Sequence, residues 1–294
     1  MNETDLTNYI ESGKVLKSLR DKGATLIKAG SKVVDVLDKI EELTEQAGVI
    51  PAFPAQISLN HTAAHFCPTE NDPTEFKKGD VAKLDMGVHI EGCVTDSAVT
   101  VDLGNNAALL KASQDALNNA IKKVQIGIEV RDIGKEIYKT ITEQGFKPIK
   151  NLSGHGVGKY IIHGPPSIPN FDNADNTELE PDMVIAIEPF ATDGAGMVEQ
   201  GDKAEIFQAI SRKPVRSIIT RKVLNEIIKY NSLPFTTRWL TKKFSEPQVR
   251  LALKDLKMNG IIVEHPPLND RNKGMVSQFE HTIIVDEDPL VLTK

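Results

Sequence analysis

Val81-Ala82-Lys83-Leu84-Asp85-Met86-Gly87-Val88 and Cys93-Val94-Thr95-Asp96-Ser97-Ala98-Val99-Thr100-Val101 flank a turn at Glu91-Gly92. Two runs rich in β-branched residues around a two-residue turn containing glycine read as a β-hairpin. Pairing about that turn sets Asp85 opposite Ala98 and Asp96 opposite Gly87. The two aspartates are then diagonal neighbours on one face, about 7–8 Å apart at Cα. Strands disfavour Asp, and two anions on a buried face are costly without compensation. Taken singly, each Asp also reads as a solvent-facing strand residue or a turn cap. Taken together, their carboxylates can meet at one or two cations.

Working outward, the motif recurs. Glu188 ends an apolar run at 183–187 and precedes Pro189; Glu280 stands between Phe279 and His281, in a strand pair expected over 275–279 and 282–285. His155 lies between them in Ser153-Gly154-His155-Gly156-Val157-Gly158. Four carboxylates and one imidazole suit a pair of hard or borderline divalent ions. Two such ions balance four carboxylates, and ions paired in this way, roughly 3.5–4 Å apart, generate a hydroxide nucleophile. An acid-bearing hairpin expected near 81–103 and again near 183–210, each with helices nearby, points to internal duplication.

Other motifs are weaker. The glycines around His155 match G-x-G-x-x-G only in part and lack the helix and trailing acid of a nucleotide site; glycine there lets the backbone pass close to a site. His61-Thr62-Ala63-Ala64-His65 has Thr where the zinc-protease motif needs Glu. His61, His89 and His265 read as packing or surface residues.

Apolar spacing predicts two helices over 6–47, divided at Gly30-Ser31 with Ser31 as an N-cap, and two more over 107–124 and 130–143. A strand is expected over 204–210. Residues 212–260 hold twelve Lys/Arg against three Asp/Glu, so a net −6 chain carries +9 there and −15 elsewhere. Helical spacing over 217–230, 237–244 and 247–258, closed by a short strand pair, suggests a winged-helix-like unit. A 40% hydrophobic content excludes global disorder. Two cysteines, Cys67 and Cys93, cannot frame a disulfide scaffold. The first nine residues do not read as a signal peptide, and no stretch approaches the ~20 apolar residues of a membrane span. A reducing cytoplasm is the expected setting.

Leu84-Asp85-Met86-Gly87-Val88-His89, Asp96, Gly154-His155-Gly156, Ile187-Glu188-Pro189-Phe190 and Gln278-Phe279-Glu280-His281-Thr282 resemble, in order and spacing, the methionine aminopeptidases of peptidase family M24. The insert between Glu188 and Glu280, with Leu233-Pro234-Phe235-Thr236-Thr237-Arg238-Trp239-Leu240, is similar to the type II subgroup, and the short segment before the motifs to its archaeal form. The resemblance implies an α+β pita-bread fold: a pseudo-twofold repeat of antiparallel sheet and helices. It implies a catalytic domain of residues 1–210 and 268–294, with residues 211–267 as an inserted helical subdomain.

It also implies a ligand set for two divalent ions, Co, Mn, Fe or Zn. Asp85 would bind one ion through both oxygens, Asp96 and Glu280 would bridge, and His155 and Glu188 would complete the other shell. His65 would sit beside the substrate amine, His163 would bond the substrate carbonyl, and Glu188 would shuttle a proton. Phe53 and Ile162, with residues near 233–235, would wall the methionine pocket. The implied reaction is removal of N-terminal methionine from nascent proteins and peptides, preferably before a small second residue, through a metal-bridging hydroxide. Gly164-Pro165-Pro166 departs from the family's usual segment, which leaves that loop's shape open. The same fold also serves prolidases and aminopeptidase P, which carry an extra N-terminal domain. Expected partners are Met-initial chains and, through the basic insert, the ribosome; a non-catalytic RNA-binding protein is the reading from another class. No membrane is expected, and nothing demands more than a monomer.

Overall fold

The hairpin forms as its turn dictates. In the computed structural model, which describes all 294 residues, strands Val81–Ile90 and Cys93–Asp102 pair along their whole length. Glu91 and Gly92 both take positive φ, 50° and 87°, which matches the strand twist in two-residue hairpins. Asp85 lies opposite Ala98 and Asp96 opposite Gly87. The other edge of Val81–Ile90 pairs with Ile50–Pro51 and Gln56–Leu59. Helices Glu3–Leu26 and Val33–Gln46 cover one face, packing Leu16, Leu37 and Ile40 onto Ala82, Leu84 and Met86. Strand alternation turns Lys83, Asp85 and Gly87 to the opposite face. The second helix has Lys32 rather than Ser31 at its N-cap. Lys32 is held extended by a bridge to Glu75, and the Ser31 hydroxyl donates to the Lys28 carbonyl instead.

The second half repeats this plan. Helices Ala107–Ile121 and Val130–Glu143 pack Ile133, Ile137 and Ile141 against Ile185, Ile187 and Ile283. Their sheet is antiparallel and five-stranded, in the order Leu290–Val291, His281–Ile284, Val184–Ile187, Ser153–Gly158, Ile161–Pro169. The duplication is therefore real at the level of a sheet with two helices, but not as a hairpin at 183–210. Val184–Ile187 and Ile206–Ala209 lie in different sheets.

The strand pair expected over 275–285 also differs. Val276–Gln278 pairs with Phe190–Thr192 in one sheet, while His281–Ile284 pairs with Val184–Ile187 in another. Both chain segments change sheet at the same place, between the pairs Ile187↔His281 and Phe190↔Gln278. Glu188-Pro189 and Phe279-Glu280 face each other in that gap. Proline has no N–H to continue a ladder, which explains the break on its own strand.

The two halves are stitched across the pseudo-twofold. The Asp96 amide donates to Thr282 Oγ1 (2.8 Å) and that hydroxyl donates to the Asp96 carbonyl (2.7 Å). The Glu280 amide donates to the Ala98 carbonyl (3.0 Å), and Ser97 Oγ donates to the Glu280 carbonyl (2.8 Å).

Residues in the basic stretch have their own core, with Val223, Ile227, Leu240, Val249, Leu253 and Leu256 at its centre. Helix Ile218–Ile227 starts with the Ser217 side chain accepting from the Thr220 amide. Helix Glu246–Met258 starts with a capping box of Ser245 and Gln248, followed by Pro247, a combination that satisfies otherwise orphaned amides. Ile206–Ala209 pairs with Phe235–Thr236 and Ile262–His265, and Ala204, Phe207 and Ala209 join this core. Arg238, nearly buried, joins the stretch to the first half through Glu41 and Asp38.

Candidate metal centre and substrate pocket

A cavity of about 220 Å³ lies where the halves meet, and Asp85, Asp96, His155, Glu188 and Glu280 all line it. Three local devices bring them there. Asp85 points off the hairpin face away from the helices, and Asp96 comes from the returning strand. Glu188 and Glu280 stand in the gap where two strands change sheet. His155 sits mid-strand, level with Ala186 and Ser167. Its flanking glycines have a different reason from the one expected. A Cβ on Gly154 would strike the Ala186 carbonyl, and one on Gly156 the Pro165 carbonyl. They let neighbouring strands close up rather than admit a ligand.

His155 Nε2 is 3.7 Å from Asp96 Oδ2 and 3.7 Å from Glu188 Oε1. Donor atoms of Asp96, His155 and Glu280 all fall within 4.8 Å of one another. Asp85 Oδ1, Asp96 Oδ1 and Glu280 Oε1 are buried with no hydrogen-bond partner. Burial pushes the Asp85 carboxyl up to about 7. Burial and then the Asp85 charge raise Asp96 well above the usual carboxylate range. Burial and the same acids do so for Glu188, and burial followed by Asp96, Glu188 and Asp85 for Glu280.

The chain supplies no cation to offset them. Burial holds His155 down to about 3, so the imidazole is neutral. Lys83 is fully buried on the same strand, but its amine donates to the carbonyls of Asn60, Val81 and Val276. Buried charges of one sign need a counter-charge. Three orphaned carboxylate oxygens around one neutral imidazole fit divalent cations, which take carboxylate and imidazole together.

The walls carry the rest of the expected site. Phe53, Ile162, His65 and His163 line the same cavity. His65 holds a left-handed backbone (φ 66°), uncommon for a non-glycine residue and a mark of functional positions. Burial keeps His65 near 3 and His163 near 4, so both rings are neutral. Of the 233–235 segment only Pro234 reaches the cavity. Leu233 packs behind it with Phe53 and Ile162, and Phe235 turns into the core of the basic stretch.

Three residues were not expected here. His265, read from sequence as packing or surface, lines the cavity, its ring 5.8 Å from that of His65 and 6.3 Å from that of His163. Gln56 Nε2 donates to Asp85 Oδ2 (3.3 Å) and Gln278 Nε2 to Glu188 Oε2 (3.1 Å). Gln278 stands two residues from Glu280 in the quoted motif, a hint that was available; nothing local singles out His265 or Gln56.

Fold and site together define a metallopeptidase. The model of Metallopeptidase family M24 matches residues 8–287. The methionine aminopeptidase of Archaeoglobus fulgidus is 44% identical over 294 residues, covering 100% of this chain and 99% of its own. Among solved structures, a thermophilic Arx1 superposes with a TM-score of 0.89 at 16% identity, covering 99% of this chain and 91% of that one. Methionine aminopeptidase from Thermotoga maritima does so with 0.74 at 22% identity, covering 100% and 98%. At those identities the two structures speak to the fold alone. The chain belongs to metallopeptidase family M24, with its pita-bread fold, and within it to the methionine aminopeptidases of archaeal type. It is accordingly a hydrolase that removes N-terminal methionine in a metal-dependent reaction. No helix is long and apolar enough to cross a membrane.

Proposed function

We propose that this aminopeptidase excises methionine from nascent proteins and peptides whose second residue is small, with two divalent ions held by Asp85, Asp96, His155, Glu188 and Glu280. The observation that carries this reading is a set of four acids around one cavity, Asp96 and Glu280 buried and Asp85 and Glu188 half-buried, with no cation from the chain. Asp85 would serve one ion, Asp96 and Glu280 would be shared, and His155 with Glu188 would complete the other shell; Co, Mn, Fe and Zn would all suit such donors. Bound ions supply Lewis acidity and hydroxide at neutral pH.

The remaining steps belong to side chains. The free α-amino group of the substrate would meet a bound ion and the nearby acids, which selects chain termini. Phe53 and Ile162 enclose the thioether. His163, neutral at working pH, donates an N–H to the scissile carbonyl as oxyanion charge develops. Glu188 takes the proton of the attacking water and passes it to the leaving amine. His65 orients the substrate amine. The rings of His65, His163 and His265 cluster in the cavity wall, with His163 4.6 Å from the His155 ring, which supports a preference for a small second residue.

The division of the chain follows the two kinds of core. Residues 1–210 and 268–294 form the catalytic body, and 211–267 an inserted winged-helix-like subdomain that borrows the strand Ile206–Ala209 for its sheet. Within the insert, Arg212, Lys213, Arg216, Arg221, Lys222 and Lys254 make none of the ion pairs that occupy its other bases. That unpaired set supports a contact with ribosomal RNA for a monomeric enzyme working in the cytoplasm. Pelleting with ribosomes at low and high salt tests it, because phosphate contacts weaken steeply with salt.

The test of the reaction compares Met-Gly-initial, Met-Leu-initial and Leu-initial peptides with each of the four ions and after chelation. Methionine release from the first peptide, lost on chelation, is expected. Release that survives chelation, or no release with any ion, overturns the reading.

A further inference from the structure

Four carboxylates line the centre, but only two of them receive a side-chain amide. Gln56 is the direct antiparallel partner of Asp85 and donates to its Oδ2. Gln278, from the strand facing Phe190, donates to Glu188 Oε2, and its side chain also reaches the Asp85 carboxylate. Both glutamines are buried, and each leaves its own Oε1 without a partner. Asp96 and Glu280 receive no such donor; each keeps an unpartnered oxygen, as Asp85 does at Oδ1.

The Gln278 backbone is itself clamped. Its amide donates to Thr100 Oγ1 (2.9 Å) and that hydroxyl donates to its carbonyl (2.6 Å). The hairpin of the first half therefore fixes where the amide from the last strands can reach. Gln56 is fixed by the sheet register. Neither amide is adjustable at low cost.

This pattern separates the acids into two kinds. The two carboxylates without donors are the two that the proposed ligand set would share between ions. For Asp85 and Glu188, which would each serve one ion, a hydrogen bond to a remaining lone pair fixes the orientation of the carboxylate. Partners of this kind typically change metal affinity or activity 10–100-fold when removed.

We infer that Gln56 and Gln278 are positioning residues that bias the two metal sites unequally, Gln56 through Asp85 and Gln278 chiefly through Glu188, the acid to which it donates. This rests on the five-residue ligand set proposed above. Leucine keeps the bulk of each side chain and removes the donor. Mn²⁺ titration by calorimetry, starting from chelated protein, gives the affinity of each binding step, and His155→Ala identifies the step that depends on the His155 and Glu188 shell. Gln278→Leu is expected to weaken that step about 10–100-fold, and Gln56→Leu the other. Thermal midpoints of the metal-free variants provide the second readout and are expected to stay near wild type.

If both variants keep each step within twofold of wild type, or lose midpoint without losing affinity, the inference is overturned. If both weaken the same step equally, the unequal assignment is wrong. Wild-type protein that takes up no Mn²⁺ would instead overturn the ligand set itself.

Discussion

The two pairs of acids reach one centre by opposite means. Asp85 and Asp96 sit inside an uninterrupted hairpin of two ten-residue strands whose register places them. Glu188 and Glu280 sit where a ladder fails, in a gap bounded by Ile187↔His281 and Phe190↔Gln278. Regular pairing is enough to hold a carboxylate in place when the opposite face is packed by helices. At a break there is no ladder, so position comes from bonds to the other half, such as those of Glu280 to Ala98 and Ser97. A site between halves can thus be rigid on one side by local structure and on the other only by long-range stitching.

The largest expected effect asks whether the two devices serve one reaction. Asp96→Asn and Glu280→Gln should each lower kcat/KM by more than the ~10–100-fold typical of losing an outer partner. Peptide assays at saturating Mn²⁺ check this; a variant that keeps more than a tenth of wild-type turnover would separate its acid from the centre.

The next effect is on stability. The Asp85 carboxyl is held up to about 7 in the folded, metal-free protein, against about 3.9 unfolded. The folded state therefore binds the extra proton, and the stability this acid permits is present below about pH 4 and lost as pH rises toward 7. Bound divalent ions would replace the protons, and His65, His155 and His163, held near 3 to 4 by burial, are neutral above pH 5 with or without them. The gap in thermal midpoint between loaded and chelated protein should widen from pH 5 to 8. A gap that is flat or narrows would contradict the charge account.

A smaller effect contrasts the hairpin with the break directly. A Cβ on Gly87 would collide with the Phe53 ring and the Thr95 carbonyl, so Gly87→Ala should cost about 1–3 kcal/mol and raise KM through the pocket wall. Pro189→Ala lies outside any ladder and should cost about 1 kcal/mol or less, chiefly by freeing the unfolded chain. Denaturant unfolding of the chelated proteins compares them; equal costs would remove the distinction drawn here.

The smallest effect lies in the basic insert. Arg221→Glu with Lys222→Glu should leave peptide turnover within twofold while lowering ribosome pelleting at low salt. Turnover that falls with pelleting would place these bases nearer the chemistry than the structure does.

The hairpin was legible because turn chemistry and alternation fix register locally, and register alone sets Asp85 and Asp96 on one face. Glu188 and Glu280 were legible as acids in strand contexts, but their corner was not, since a change of sheet leaves no period in the sequence. The strand at 206–209 was found, yet its partners come from the insert, so its allegiance was hidden. His265 and Gln56 escaped for the same reason: each matters through a neighbour brought close by the fold, while the residues beside it in sequence say nothing of it. The motif residues of the ligand set were readable because few roles suit an acid in the middle of an apolar strand.

The central claim is that these four acids and His155 exist to hold divalent ions. Elemental analysis of protein equilibrated with Mn²⁺ and desalted at neutral pH tests it most directly. The account predicts two ions per wild-type chain and no more than one in Glu280→Gln. Wild-type protein without bound metal, or a variant that retains both ions, would contradict it.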